Sequence, residues 1–440
     1  MRQPRPGTKG QPVTPPPPQL ARRLGTRDAV IIGLGSMLGA GVFAAFGPAA
    51  KAAGTGLLIG LAIAAILAYC NATASAQLAA TYPTSGGTYL YGREQLGHWW
   101  GFTAGWGFVI GKTASCAAMA LTFATYAIPG PWWAQRLVAC AGVLGLAALN
   151  YRGITRTAAL TRVLVTCTLL ALAAIIVGIA VGGHTSTANL GGWQALGTGG
   201  VYGTLQAAGL LFFAFAGYAR IATMSEEVRD PQRAIPRAIP IALGITVVIY
   251  VLIGGSALLA AGPDRLAAAT APLTEAVTAA GVPGLAPVVR IGGALASLGA
   301  LLALIAGVGR TSLAMARNHD LPRWLAAVHP RYQVPHHAEA ALAAVVCVLV
   351  LTTDLRSVIG FSSFGVLVYY LIANLSAAGQ TAEHRRWPRA LNIVGAAGCV
   401  VLVATLPLPS VSAGVVMFAL GLAGRWFVLR VRERHATSAE

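Results

Sequence analysis

The sequence predicts an all-α integral membrane protein of twelve transmembrane helices, and three observations carry that prediction. The first is composition: of 440 residues, 56% are hydrophobic and only 10% are charged, with a mean hydropathy of +0.68. A soluble globule cannot hide that much apolar surface, so the chain reads as one bilayer-embedded domain. The second is its division into apolar stretches near the ~20 residues that cross a bilayer. The third is the placement of basic residues. A formal net charge of +18 would suggest nucleic acid in a soluble protein. Here Lys and Arg lie mostly in short loops between apolar stretches, so membrane topology explains them and no nucleic-acid partner is expected.

A polar segment opens the chain, with a run from Pro15 to Pro18, and residues 1–26 are expected to be a disordered cytoplasmic tail of polyproline II character. The first apolar stretch is too long and starts too late for a cleavable signal peptide. The membrane domain is placed at 27–430, with its first six spans at 29–50, 56–78, 99–126, 132–149, 158–181 and 202–225. The other six run 238–261, 285–312, 338–351, 357–378, 390–406 and 409–429, the ninth and eleventh being short. Residues 431–440 make a C-terminal tail. With the N-terminus in the cytoplasm, 24 of the 31 Lys and Arg residues fall on the inner side and four (Arg136, Arg265, Arg290, Arg356) outside. Lys51, Lys112 and Arg220 are assigned to spans, Lys51 at the outer end of the first, where it snorkels into headgroups. So large an asymmetry predicts an even span count and two cytoplasmic termini; the expected location is the plasma membrane, as a multi-pass protein. A missed or extra span would reverse every later loop. The cysteines (Cys70, Cys116, Cys140, Cys167, Cys347, Cys399) sit in apolar stretches without paired or metal-like spacing. They read as small core residues, and no disulfide, metal or cofactor is expected.

Two stretches depart from this regularity. In the first span, Gly33, Gly35, Gly39 and Gly41 place four glycines within nine residues. Each gives up about 1 kcal/mol of helix propensity against Ala, so an unbroken helix is costly there. Loose backbone inside a bilayer is tolerated only where it is buried in protein or faces a water-filled cavity. Small-residue packing between helices would also explain the glycines. A second glycine-centred aromatic stretch, Phe212 to Tyr218, lies in the sixth span. Paired interruptions at corresponding positions of two halves point to a transporter binding site. If spans one to five (28–181) and six to ten (202–378) are repeats, each begins with a broken helix; five is odd, so they are inverted, and the last two helices (389–430) lie outside them. A break frees N–H groups at the start of one half-helix and carbonyls at the end of the other. The first suit a carboxylate, the second an ammonium.

These stretches carry a family resemblance. The first-span pattern Gly35-Ser36-Met37-Leu38-Gly39-Ala40-Gly41-Val42-Phe43 resembles amino acid permeases of the amino acid–polyamine–organocation (APC) family. So does Phe212-Phe213-Ala214-Phe215-Ala216-Gly217-Tyr218, with the trailing run from Ser225 through Glu226, Glu227, Asp230, Pro231, Pro236 and Arg237. The loop from Tyr82 to Tyr89 and the run from Ala314 to Pro322 are similar to it too, so the resemblance covers nearly everything from Arg27 onward. It implies the five-plus-five inverted-repeat fold of sodium-coupled leucine transporters, with helices one and six broken, and alternating access. It implies substrate carboxylate on the backbone of Gly39, Ala40 and Gly41, and substrate ammonium near the carbonyls of Met37, Phe213 and Ala216 beside Gly217. Phe213 and Phe215 are candidates for an aromatic lid, although rings at helical spacing also serve as core.

Four charged residues need explaining. Lys112 lies midway along the third span, where a charge costs at least ~2.5 kcal/mol on insertion scales, so it should face protein or water. It reads either as a proton- or substrate-sensing group, since desolvation disfavours a charged lysine, or as a tether on carbonyls exposed by a break. Arg220 stays charged and is no proton carrier; it can pair with Glu226 or Glu227, as a gate or as plain structure. The run from Glu226 to Ile239 reads as a solvated charge-rich turn, or as a linker stiffened by Pro231 and Pro236 that couples helices six and seven. The chain departs from relatives that carry an acidic residue two positions after the sixth-helix glycine (here Ala219) or a lysine in the fifth helix (here Thr168). Proton coupling therefore stays open, and Ser297 alone makes no sodium site. The expected function is secondary active transport of amino acids, by proton symport or exchange, favouring neutral or acidic substrates because Lys112 and Arg220 repel a second cation. Basic amino acids, polyamines or a transport-inactive sensor are the alternatives. No ATPase-type phosphate loop is present, and the histidines lie in loops or at span ends, so neither a pump nor an enzyme is expected.

Overall fold

The computed structural model describes residues 24–83, 86–190, 199–225 and 227–437, without the side chains of 154–158, 432, 433 and 435–437. Among these residues every regular element is helical. Ten helical segments are long and apolar enough to cross a membrane, and two apolar helices, His336–Thr352 and Arg389–Thr405, are shorter. The expected integral membrane architecture is present.

The first apolar stretch is not one helix. α1 (Thr26–Met37) stops at Leu38, whose N–H still reaches the Leu34 carbonyl at 2.7 Å. Gly39 then swings out to φ −119°, ψ −141°, and α2 (Ala40–Ala44) begins. Ala45 keeps helical angles (φ −73°, ψ −22°), so α2 and α3 (Phe46–Ala53) act as one half-helix. α3 ends at Gly54, whose φ of 57° is open to glycine at little cost. α4 (Leu57–Thr81) follows, then α5 (Thr88–Leu96), a short helix that the hydropathy pattern did not announce. Next come α6 (His98–Ala127), α7 (Trp132–Tyr151) and α8 (Ile154–Val181).

The second interruption is milder than the first. α9 (Gly200–Phe215) tightens into one 3-10 turn, Ala216–Tyr218, and resumes as α10 (Ala219–Thr223). The physical reason is the lower local glycine content: Gly217 is the only glycine between Leu210 and Ser225, where the first span has four between Gly33 and Gly41.

α11 (Pro231–Ala268) starts with a proline at its first position, where the missing N–H costs nothing. The run read as a stiffened linker is therefore already helix from Pro231, with Pro236 inside the helix. Gly262 (φ 71°) kinks its outer end, and α12 (Pro272–Ala279) is a second short helix absent from the span list. The rest is α13 (Ala286–Arg317), α14 (His336–Thr352), α15 (Leu355–Ala378), α16 (Arg389–Thr405) and α17 (Leu408–Thr437). α1, α6, α9 and α13 are mostly buried, whereas α7 and α17 present most of their surface outward. The interrupted helices thus form the inside of the bundle.

Candidate functional site

The two interruptions lie against each other at the centre. A Cβ on Gly217 would collide with the Ser36 carbonyl and the Met37 nitrogen, and one on Gly41 would collide with the Ala214 backbone. The crossing therefore needs glycine at both positions. Gly39 is enclosed in the same way by Ala300 and Met119.

The backbone groups that the breaks release are not left bare. The Ala40 N–H donates to the Met119 sulfur at 3.1 Å, a weak acceptor. The Gly39 N–H turns back to the Met37 carbonyl at 2.8 Å. The Tyr250 hydroxyl lies 2.5 Å from the Met37 carbonyl and 3.0 Å from that of Ala214. The Ala216 carbonyl accepts from Lys112 Nζ at 3.0 Å and from the Tyr370 hydroxyl at 3.3 Å. Tyr126 donates to the Phe43 carbonyl at 2.8 Å. Apart from the Gly39 N–H, which stays on the backbone, these groups are held by side chains from α6, α11 or α15.

Met37, Gly39, Ala40, Gly41, Phe213, Phe215, Ala216 and Gly217 are all buried and fall on the crossing elements. Phe215 packs against Tyr250 at 4.9 Å between ring centroids with the rings tilted, and Phe212 and Tyr218 flank Tyr370 at 5.7 and 5.0 Å. Lys112 is buried at 4% exposure with its ammonium on the Ala216 carbonyl, the geometry of a tether on a broken helix. Met119, Tyr126, Tyr250 and Tyr370 were missed in the sequence. A mid-span tyrosine that must find a partner for its hydroxyl was the available signal.

Arg220 belongs to a second cluster, nearer the end of α13 that carries Arg310. Its guanidinium lies 4.0 Å from Glu227, and Arg310 contacts the other oxygen of the same carboxylate. Glu339, on the first turn of α14, lies beside Gly309 and is buried with one oxygen lacking a hydrogen-bond partner. Glu227 is only 1% exposed, so the solvated-turn reading does not describe it: Met224 and Leu24 bracket its backbone and fold it inward. Glu226, the other candidate, lies outside the described residues. Leu24, placed in the tail by sequence, pairs with Val228 through bonds of 3.0 and 2.8 Å, and Asp28 binds Arg162 at 2.7 Å. These contacts tie the start of α1 to α8 and to the turn before α11.

A cavity of about 520 Å³ between α6, α13, α14, α15 and α17 has almost wholly apolar walls, among them Ile110, Val345 and Phe361. None of the residues that line it belongs to the crossing.

The profile of the amino acid permease family matches residues 24–421, nearly the whole chain. An uncharacterized transporter of Mycobacterium tuberculosis is 58% identical over 96% of this chain and 95% of its own length. A branched-chain amino acid permease of Bacillus subtilis is 25% identical over 86% of this chain and 84% of its own length. The human cationic amino acid transporter 4 is 29% identical over 80% of this chain, which spans 58% of that longer protein.

Proposed function

We propose that this chain, which belongs to the amino acid permease family, is a secondary transporter that binds the zwitterionic head of an amino acid between its two interruptions. The observation that supports this reading is the Ala40 N–H, freed by the first break and resting only on a thioether sulfur at the crossing. A substrate carboxylate would take the Ala40 N–H from the Met119 sulfur, gaining a charge-assisted bond in place of a weak one. A substrate ammonium would take the Met37 carbonyl from Tyr250. The Ala216 carbonyl already holds one ammonium, that of Lys112, so a second cation nearby is disfavoured and neutral or acidic side chains are preferred.

The reading takes the chain as twelve spans in a five-plus-five inverted repeat, with both termini in the cytoplasm and the protein in the plasma membrane. Alternating access then moves one repeat against the other around the crossing. Leu24, Asp28 and the Arg220–Glu227–Arg310 contacts close the inner side in this conformation. Lys112 and Arg220 are the coupling and gating candidates, with proton symport and exchange as the two modes.

The test is uptake of a labelled amino acid panel into proteoliposomes, with and without an inward proton gradient. Saturable uptake of neutral amino acids, increased by the gradient, supports symport and makes Lys112→Met the first variant to measure. Uptake indifferent to the gradient but stimulated by internal amino acid supports exchange. Arginine or lysine uptake that neutral amino acids compete poorly would overturn the substrate preference, and no uptake by folded protein would overturn the transport reading.

A further inference from the structure

A second, separate cavity lies on the arginine-rich face of the bundle, on its outer wall. It measures about 590 Å³ and sits between the start of α6, the turn after α13 and the last turns of α17. Its floor is polar. Arg93 and Arg425 both reach Asp320, at 3.7 and 2.7 Å, and Tyr89 donates to the same carboxylate at 2.8 Å. Two guanidiniums against one carboxylate leave one positive charge in excess.

Arg425 is the telling residue. Its side chain is 7% exposed, it lines the cavity, and its Nε has no hydrogen-bond partner. A buried guanidinium with an unused donor is costly unless something completes it. Its plane is held over Phe102 and Trp99, 4.5 and 5.1 Å from the ring centroids, so it is fixed in place. α6 begins at His98 on the same wall, and no side chain caps its first-turn N–H groups. A 30-residue helix that starts uncapped beside two arginines favours an anion.

The other wall says which kind of anion. Leu420, Val428 and Leu429 line it, and Leu420 and Val428 are exposed on the outside of the bundle. Trp99, which lines the cavity, is more than two-fifths exposed, as are Trp100 and Trp426, each next in sequence to a lining residue. Exposed tryptophans of this kind mark the headgroup layer of a bilayer. A phosphate at Arg425 would therefore continue into two acyl chains lying along α17, whereas a soluble phosphate would use the polar floor and leave the apolar wall idle.

We propose that this cavity is a binding site for the phosphate of an anionic phospholipid, gripped by Arg425, Arg93 and the start of α6, with the acyl chains against Leu420 and Val428. With the orientation proposed above, that lipid belongs to the cytoplasmic leaflet. The site is independent of the transported substrate.

The experiment uses the full chain in mild detergent and reads its melting temperature with added dioleoyl phosphatidylglycerol, dioleoyl phosphatidylcholine or inorganic phosphate. Phosphatidylglycerol should raise the melting temperature saturably, while phosphatidylcholine and inorganic phosphate should not. Val428→Glu, at an exposed rim position, should melt like the parent without lipid and lose the phosphatidylglycerol shift. Arg93→Gln, whose side chain is 22% exposed, should lose at least half of it and serves if the first variant folds poorly. Equal shifts with both lipids, or full shifts in both variants, overturn the proposal. An equal shift with inorganic phosphate alone overturns the lipid and makes the ligand a soluble anion.

Discussion

The crossing of the two interruptions and the Arg220–Glu227–Arg310–Glu339 cluster are both buried and polar, yet they are held together in opposite ways. At the crossing, the Ala40 N–H rests on a thioether, the Met37 carbonyl on a hydroxyl, and the Ala216 carbonyl on one lysine and one hydroxyl. In the cluster, two guanidiniums converge on one carboxylate. Exchanging a neutral hydrogen bond for another costs little, because the net value of each is about 1 kcal/mol. Removing one partner from a buried ion cluster strands a charge and costs about 3–5 kcal/mol. The first arrangement suits a place where a ligand must displace what is already there. The second suits a contact that either holds or lets go.

That contrast can be broken from its strong side first. Glu227→Gln leaves Arg220 and Arg310 without their shared counter-charge. It should lower stability by about 3–5 kcal/mol, read as a large fall in melting temperature of detergent-purified protein. A fall no larger than that of a surface substitution would show that Glu339 replaces Glu227 at no cost.

Gly217→Ala comes next. The added methyl meets the Ser36 carbonyl, so the helices must part, at about 1–3 kcal/mol of overpacking. Transport should fall much further than stability, because the proposed substrate site is the crossing itself. Uptake rates normalised to folded protein, set beside melting temperatures, separate the two.

Tyr250→Phe removes a hydroxyl but keeps the ring against Phe215. Stability should drop by about 1 kcal/mol. The Michaelis constant for a neutral amino acid should fall several-fold, because the substrate ammonium no longer displaces a hydroxyl from Met37. A rise instead would make Tyr250 a substrate contact rather than a placeholder.

Met119→Leu should have the smallest effect. It removes a weak N–H to sulfur contact and little volume, so stability should move by under about 1.5 kcal/mol and the Michaelis constant by no more than about threefold. An effect as large as that of Gly217→Ala would show that the sulfur holds the site open.

Hydropathy and the glycine count made the membrane architecture and the first break legible, because both are local. A run of about 20 apolar residues must cross a bilayer whatever surrounds it. Four glycines within nine residues weaken a helix whatever it packs against. The short helices α5 and α12 were not legible, since neither carries a span-length apolar signal. Nor was the inward fold of Glu227. A charge-rich turn reads as solvated until Leu24 pairs beside it and Arg310, 83 residues further on, arrives at its carboxylate.

The sequence by itself determined a helical membrane chain of the amino acid permease family, with a glycine-weakened first span and a second glycine-centred stretch in the sixth. Only the tertiary structure decided which side chains hold the broken backbone: Met119 on Ala40, Tyr250 on Met37, and Lys112 with Tyr370 on Ala216. The reason is range. Helix propensity and hydropathy act within a few residues of chain, whereas these partners lie 79 to 213 residues apart and meet only when the bundle closes.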